Sequence, residues 1–370
     1  MTSIYEKYNV KPVINVSGRM TKLGVSTPHP QVRDAVSHAL GEYFEMADLV
    51  DKTGEYIASL LNVEAALVVS CASAGIAQTV AAVITKDNKN LVFNLHSNKQ
   101  SVPREIVIPK GHNVNFGAPV GTMIELGGGT VVEAGWGNEC SAEQLAMAIT
   151  PNTAAIMFVK SAHSLQKSVL SAEQAVAVAK AHNVPIIVDA AAEVDLRVYY
   201  EMGAELVIYS GAKAIEGPTS GLVLGKKQYI DWVKLQSQGI GRAMKIGKEG
   251  IIGLTVAIER YLQETPETGA QMSERLQPFL SAINDVTGLH AAIIRDDAGR
   301  DIVRAEITID PDLYGHNALA VAKAFQKASP AVYFREYHAN EGRLEVDVRS
   351  VNNEQLAWLA QIFKDFASGE

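Results

Sequence analysis

The sequence is poor in cysteine and in positive charge. Its 370 residues contain two cysteines, Cys71 and Cys140. Two cannot build a disulfide framework, and a reducing cytoplasm fits such a chain. Lysine and arginine number 33 against 41 aspartates and glutamates, a net charge of −8. Neutralising phosphates requires a basic face, so nucleic acid is not expected as a partner. No apolar run approaches the roughly 18 residues that cross a bilayer. The start, Met1-Thr2-Ser3-Ile4-Tyr5-Glu6-Lys7, lacks the basic-then-apolar order of a signal peptide, so no membrane association is expected. Repeats, low-complexity tracts, a G-x-G-x-x-G or Walker pattern, and a metal-ligand spacing are all missing.

What is present is an ordinary globular composition, 47% hydrophobic and 20% charged. The length calls for two domains. The expected division is a large domain over 1–255, with an N-terminal arm, and a small α+β domain over 256–370. In the large domain, apolar runs at 65–69, 105–108, 130–133, 154–159, 186–189 and 205–209 read as buried strands. Helical patterns fall at 30–41, 47–61, 75–84, 142–149, 171–182 and 226–236. Further short strands are expected near 91–94, over 123–126, and at the sheet edge over 221–224. Strand–helix–strand repetition implies right-handed crossovers and a mostly parallel sheet, an α/β architecture. A long helix over 248–264 leads to a break at Thr265-Pro266. The small domain then reads as helices and a mostly antiparallel sheet.

Two strand ends carry chemistry. The run ending at Tyr209 breaks into Ser210-Gly211-Ala212-Lys213-Ala214-Ile215-Glu216-Gly217-Pro218. A lysine in a turn is ordinarily solvated. At the end of a buried strand, poor solvation lowers its pKa and makes the amine a nucleophile for a carbonyl. Upstream, Ile186-Ile187-Val188 ends in Asp189. In open α/β sheets ligands lie at such carboxyl ends. A lysine holding pyridoxal phosphate needs a carboxylate on the pyridinium nitrogen, and Asp189 is placed for that.

A third strand, Ala65 to Val69, runs through Ser70-Cys71-Ala72-Ser73-Ala74-Gly75 into a helix. Small residues at a helix start form a cradle for an anion, and Ser73 doubles as the expected N-cap. His112 follows another strand, where it either stacks on a cofactor ring or is a solvated loop histidine. His163, in Lys160-Ser161-Ala162-His163-Ser164, sits at a further strand end. Arg242, Lys245 and Lys248 form a basic knot in an acidic chain, either a solvated loop or a clamp for an anion. Arg19 and Lys22 lie in the N-terminal arm, and Arg335, Arg343 and Arg349 on strands or strand ends of the small domain.

The order of phosphate loop, aspartate and lysine, followed by a small α+β domain, resembles the fold-type I, aspartate aminotransferase-like, pyridoxal-phosphate enzymes. More narrowly it is similar to bacterial selenocysteine synthase and its relatives. The resemblance is carried by Val13-Ile14-Asn15-Val16-Ser17-Gly18, Arg104-Glu105-Ile106-Val107-Ile108, Val131-Val132-Glu133-Ala134-Gly135, Ser210-Gly211-Ala212-Lys213 with Gly217-Pro218, and Arg242-Ala243-Met244-Lys245-Ile246-Gly247-Lys248. The synthase's extra tRNA domain has no counterpart before this sequence and the charge is acidic, which points to a tRNA-independent branch.

That resemblance implies pyridoxal 5'-phosphate as cofactor and elimination of water and ammonia from an anionic amino sugar acid phosphate. Lys213 would be the catalytic base. Ser73, Ala74, Gly75 and Ser210 would hold the cofactor phosphate, and His112 would lie over the ring. Arg19, Lys22, Arg242, Lys245 and Arg349 would meet the substrate's anions. The assembly would be a homodimer or larger, with shared sites. The motifs fix the cofactor and not the bond broken, so an aldolase, a racemase or a transferase stays open.

Overall fold

In the computed structural model, residues 3–97, 102–161, 164–296 and 300–368 are described. Twelve strands follow in chain order: β1 (Val13–Val16), β2 (Ala65–Val69), β3 (Glu105–Pro109), β4 (Thr130–Ala134), β5 (Thr153–Val159), β6 (Ile186–Asp189), β7 (Leu206–Ser210), β8 (Gly221–Gly225), β9 (Leu289–Arg295), β10 (Val303–Ile309), β11 (Ala331–Phe334) and β12 (Arg343–Asp347). They belong to two units, one of residues 28–263 and one of 1–27 with 264–370.

The first unit is built on a seven-stranded sheet in the order β2-β8-β7-β6-β5-β3-β4. Every neighbouring pair is parallel except those made by β8. All seven residues of β5 are buried, as a central parallel strand covered on both faces requires. Alternate side chains feed two cores. Ile156, Phe158 and Val188 join helix residues such as Ala175 and Leu254 on one face. Met157, Val159 and Ile187 meet Ile76 and Val80 of helix Ala72–Thr85 on the other.

Three expectations fail here. The 91–94 segment is helical, not extended: helix Lys89–Asn94 is capped by Asn88, whose side chain accepts from Leu91 N–H at 3.1 Å. The segment at 123–126 is the end of helix Val120–Leu126, because Val120, Ile124 and their neighbours bury at helical and not alternate spacing. The 221–224 strand is not an edge. Gly221 pairs with Val69 on one side and Ser210 on the other, so β8 is inserted antiparallel between β2 and β7.

The expected boundary at 255/256 also falls elsewhere. Helix Lys248–Gln263 stays whole in the first unit, burying Ile251, Leu254 and Ile258 there. The N-terminal arm belongs with the second unit, because β1 pairs in parallel with β11, from Val13↔Ala331 to Val16↔Phe334. That unit also holds an antiparallel sheet of order β12-β10-β9, as the sequence predicts, with helices Gly269–Asn284, Ala318–Lys327 and Asn353–Ser368. No helix among the described residues is long and apolar enough to cross a membrane.

Candidate active site

The parallel direction of β3, β5, β6 and β7 brings their carboxyl ends to one edge of the sheet. The register levels them: Val159 pairs with Asp189, Asp189 with Ile208, and Ser210 with Gly221. Because β8 is antiparallel to both neighbours, β2 runs with β7 and its end, Val69, reaches the same edge. Asp189, Lys213, His112 and the loop at Ser73, Ala74 and Gly75 therefore share that edge.

Lys213 is half-buried in a tight turn. Its N–H donates to Ser210 C=O at 3.3 Å, Gly217 N–H closes the turn on Gly211 C=O at 2.8 Å, and Glu216 takes a left-handed φ of 55°. Gly211 is required by space: a Cβ there would lie 2.1 Å from Ser220 Oγ. Burial lowers the Lys213 pKa, partly opposed by the Asp189 charge. Asp189 is 7% exposed. Its Oδ1 accepts from Ala191 N–H at 3.1 Å. Burial pushes its pKa up to about 6, against the pull of that hydrogen bond and of Lys213. A buried carboxylate so raised is one that a cationic N–H would stabilise.

The start of the helix after β2 differs from expectation in one respect. The helix starts at Ala72 and its N-cap is Cys71, whose Sγ accepts from Ala74 N–H at 3.3 Å, so Ser73 sits in the first turn instead of capping it. Space around the loop is minimal. A Cβ on Gly75 would come within 3.0 Å of Ile208 Cγ2, and one on Gly221 within 2.6 Å of the Cys71 carbonyl carbon. The first-turn N–H groups and the positive helix end suit a phosphate.

His112 is not a solvated loop histidine, for it is 1% exposed. Val159 N–H donates to its Nδ1 at 3.3 Å, and Nε2 lies 3.2 Å from Leu165 C=O. That pairing fixes a neutral ring protonated on Nε2. Burial holds its pKa down at about 4. The ring stands edge-on to Phe158, with centroids 4.7 Å apart.

Arg242 and Lys245 are exposed on and just after the short 3-10 helix Ile240–Met244. They line a cavity of about 500 Å³ together with Gln78. Gln78 is buried, and its Nε2 is without a hydrogen-bond partner. The sequence marks Gln78 only as one polar residue in a mostly apolar helix. Lys248 is turned away, donating to Glu42 C=O and lying over the Tyr43 ring. His163 lies outside the described residues.

Arg19, Lys22 and Arg349 belong to the second unit. There Lys22 lies over the Tyr333 ring at 5.2 Å, and Arg349 grips Asp347. Arg335 and Arg343 are tied to carboxylates of the same unit, Glu345 and Glu306. The residues around Lys213 fit pyridoxal phosphate by charge and space: a helix start of small residues, a buried carboxylate of raised pKa and a desolvated amine on one sheet edge.

Comparison with known proteins gives a consistent answer. The family model for SelA, L-seryl-tRNA selenium transferase, matches residues 13–281. The chain is 43% identical over 366 residues to D-glucosaminate-6-phosphate ammonia lyase of Salmonella typhimurium, covering 99% of this chain and 98% of that protein. It is 36% identical to 5'-C-glycyluridine monooxygenase-decarboxylase of a Streptomyces species, covering 95% and 88%. A solved structure of D-glucosaminate-6-phosphate ammonia-lyase superimposes with TM-score 0.94 at 42% identity, covering 100% of this chain and 99% of that one. Thermus thermophilus aspartate aminotransferase, at 15% identity and TM-score 0.52, shares the fold alone, covering 98% and 94%. On sheet order, lysine motif and full-length similarity alike, the chain has the aspartate aminotransferase-like fold and belongs to the SelA family of pyridoxal-phosphate-dependent enzymes.

Proposed function

We propose that this chain is a pyridoxal-phosphate-dependent ammonia-lyase acting on D-glucosaminate 6-phosphate and yielding 2-keto-3-deoxygluconate 6-phosphate. The observation that carries this reading is similarity along the whole chain, at 43% identity, to a protein of that activity. The desolvated Lys213 and the raised carboxyl of Asp189 support it chemically. When bound, the cofactor supplies an electron sink for carbanion chemistry.

In this reading Lys213 would hold the cofactor through its Nζ. Its Nζ, lowered in pKa by burial, then takes the Cα proton. Asp189 holds the ring nitrogen's proton. Ser73, Ala74 and Gly75 at the helix start, with the Ser210 hydroxyl, would hold the cofactor phosphate. His112, neutral and held at both ring nitrogens, would lie against the ring. Arg19, Lys22, Arg242, Lys245 and Arg349 are the cations for the substrate's carboxylate and phosphate. The 3-hydroxyl leaves as water, and water returns when ammonia is released, so the net change is loss of ammonia. We also read the protein as a homodimer or larger. Leu40, Tyr43, Phe44 and Met46 expose apolar surface in one short segment, with Tyr43 fully exposed.

The test is one tube. Purified protein with pyridoxal 5'-phosphate is mixed with D-glucosaminate 6-phosphate, and the visible spectrum, 2-keto acid and ammonia are followed together. Keto acid and ammonia rising in equal amounts is the expected result. A spectral response without either product overturns the lyase reading and keeps the cofactor. Oxygen consumption and carbon dioxide release are then the changes to seek, since a 36% identical relative is named a monooxygenase-decarboxylase. No cofactor spectrum at all overturns the role of Lys213.

A further inference from the structure

Helix Ala72–Thr85 carries more than the small residues at its start. Gln78 lies five residues past Ser73, about 7.5 Å further along the helix axis. It is 5% exposed, and its Nε2 has no hydrogen-bond partner among the described residues. It lines the cavity of about 500 Å³ that Arg242 and Lys245 also line, with Leu67, Val68 and Val69 of β2 in the wall. The whole lining belongs to the first unit. An unpaired buried amide donor costs free energy, and folded proteins keep few of them.

The basic segment is fitted to that side chain. A Cβ on Gly241 would lie 2.8 Å from Gln78 Oε1 and 2.7 Å from Gln236 C=O, so glycine lets the turn that carries Arg242 settle against Gln78. Gln236 is fully buried and donates Nε2 to Thr85 Oγ1 at 2.9 Å, which fastens the same segment to the end of Gln78's helix. The cations of this segment divide into two kinds. Lys234, in the same wall, is paired with Asp51 at 2.8 Å, and Lys248 is taken up by Glu42 C=O. Arg242 and Lys245 have no carboxylate at ion-pairing distance among the described residues. Two uncompensated charges and an amide donor match a phosphate monoester, which carries two negative charges and several acceptor oxygens; a carboxylate is satisfied by the fork of one arginine.

We infer that Gln78 is a specificity-determining residue that donates its carboxamide N–H, beside Arg242 and Lys245, to the phosphate group of the substrate. The inference rests on reading the chain as a lyase of D-glucosaminate 6-phosphate. The last torsion of a glutamine is broad, so the carboxamide turns its N–H groups toward an anion at little cost. The phosphate then gives Gln78 the partner that the chain does not. A site with such a donor also penalises a substrate that lacks the group.

Its test uses the cofactor-loaded enzyme and two readouts. Inorganic phosphate is titrated by calorimetry, which needs no turnover, and KM and kcat are measured for D-glucosaminate 6-phosphate and for D-glucosaminate. Gln78→Leu removes the donor and keeps the bulk, and because the lost amide is unpartnered the variant should melt no lower than the parent. It should bind inorganic phosphate about tenfold more weakly, and raise KM for the 6-phosphate about tenfold more than KM for D-glucosaminate. Arg242→Ala and Lys245→Ala change exposed positions, do not depend on the Gln78 variant folding, and should each weaken phosphate binding about tenfold. The inference is overturned if Gln78→Leu keeps the parent's phosphate affinity, if its KM changes alike for the two sugar acids, or if either cation variant binds phosphate as the parent does. If the parent turns over neither sugar acid, the lyase reading falls, and calorimetry alone decides: a tenfold loss in Gln78→Leu upholds the phosphate site, and an unchanged affinity overturns it.

Discussion

Asp189 and Lys213 each lessen the burial cost of the other's charge. Burial lifts the aspartate and lowers the lysine, and each is pulled back by its neighbour. The pair has a consequence for the apoprotein. A carboxyl with a folded pKa of about 6, against an ordinary 3.8, binds its proton more tightly folded than unfolded. Its contribution to stability is therefore most favourable below the ordinary value and is lost as pH rises from there through about 6. Asp189→Asn should raise the apoprotein Tm by several degrees at about pH 8, with a much smaller gain at about pH 4. Scanning calorimetry at both values checks this. Equal gains would show that the carboxyl does not titrate as described. Cofactor affinity should fall in the same variant.

Lys213→Ala should lower turnover by roughly a thousandfold or more, since both an anchor and a general base are removed. Borohydride reduction followed by peptide mass spectrometry should place the cofactor mass on the peptide carrying residue 213 in the parent, and nowhere in the variant. Turnover within tenfold of the parent would remove Lys213 from the chemistry.

His112 should stay neutral throughout the working range, because burial holds its pKa at about 4. The sign is that of a depressed base: folded stability is lost as pH falls from 6.5 through about 4, when the unfolded ring charges first. Its ring proton signals should not shift between about pH 6 and pH 8. His112→Phe leaves Val159 N–H and Leu165 C=O without the ring nitrogens that pair them. Urea unfolding should show a loss of about 1–3 kcal/mol.

Gly211→Ala should cost about 1–3 kcal/mol, as overpacking of a closed site does. The added Cβ would sit 2.1 Å from Ser220 Oγ and 2.8 Å from Leu254 Cδ1. The turn that carries Lys213 must shift to admit it. Cofactor incorporation measured by borohydride labelling should fall alongside Tm, and a variant with normal labelling would show that this turn tolerates movement.

The parallel strands were legible because each is apolar on both faces, and the site followed because Asp189 and Lys213 stand at their ends. His112 was ambiguous because its burial depends on Val159 and Leu165, each about fifty positions along the chain. The helices Lys89–Asn94 and Val120–Leu126 read as strands in the sequence because such short apolar runs hold too little periodicity to choose between the two. Cys71 does not announce itself as an N-cap because serine, present at 73, is the commoner capping type. Gly221 gave no sign of β8's place, since a strand's neighbours are set by pairing across the chain. The burial of Asp347 between two arginines is hidden for the same reason: Arg349 is two residues away, but Arg304 is distant in sequence.

The antiparallel β8 also sets when the site can exist. β2 leads into the candidate anion cradle, yet β8 is its sole strand partner among the described residues, and Val69 meets Gly221 only after most of the unit has been synthesised. A nascent chain that has emerged as far as Lys213 already holds the lysine, the aspartate and the cradle sequence, but lacks the strand that joins them. Contacts of such long sequence separation form late. Cofactor capture during translation would therefore report on the closure of the sheet at residue 225, and would be silent for every shorter chain.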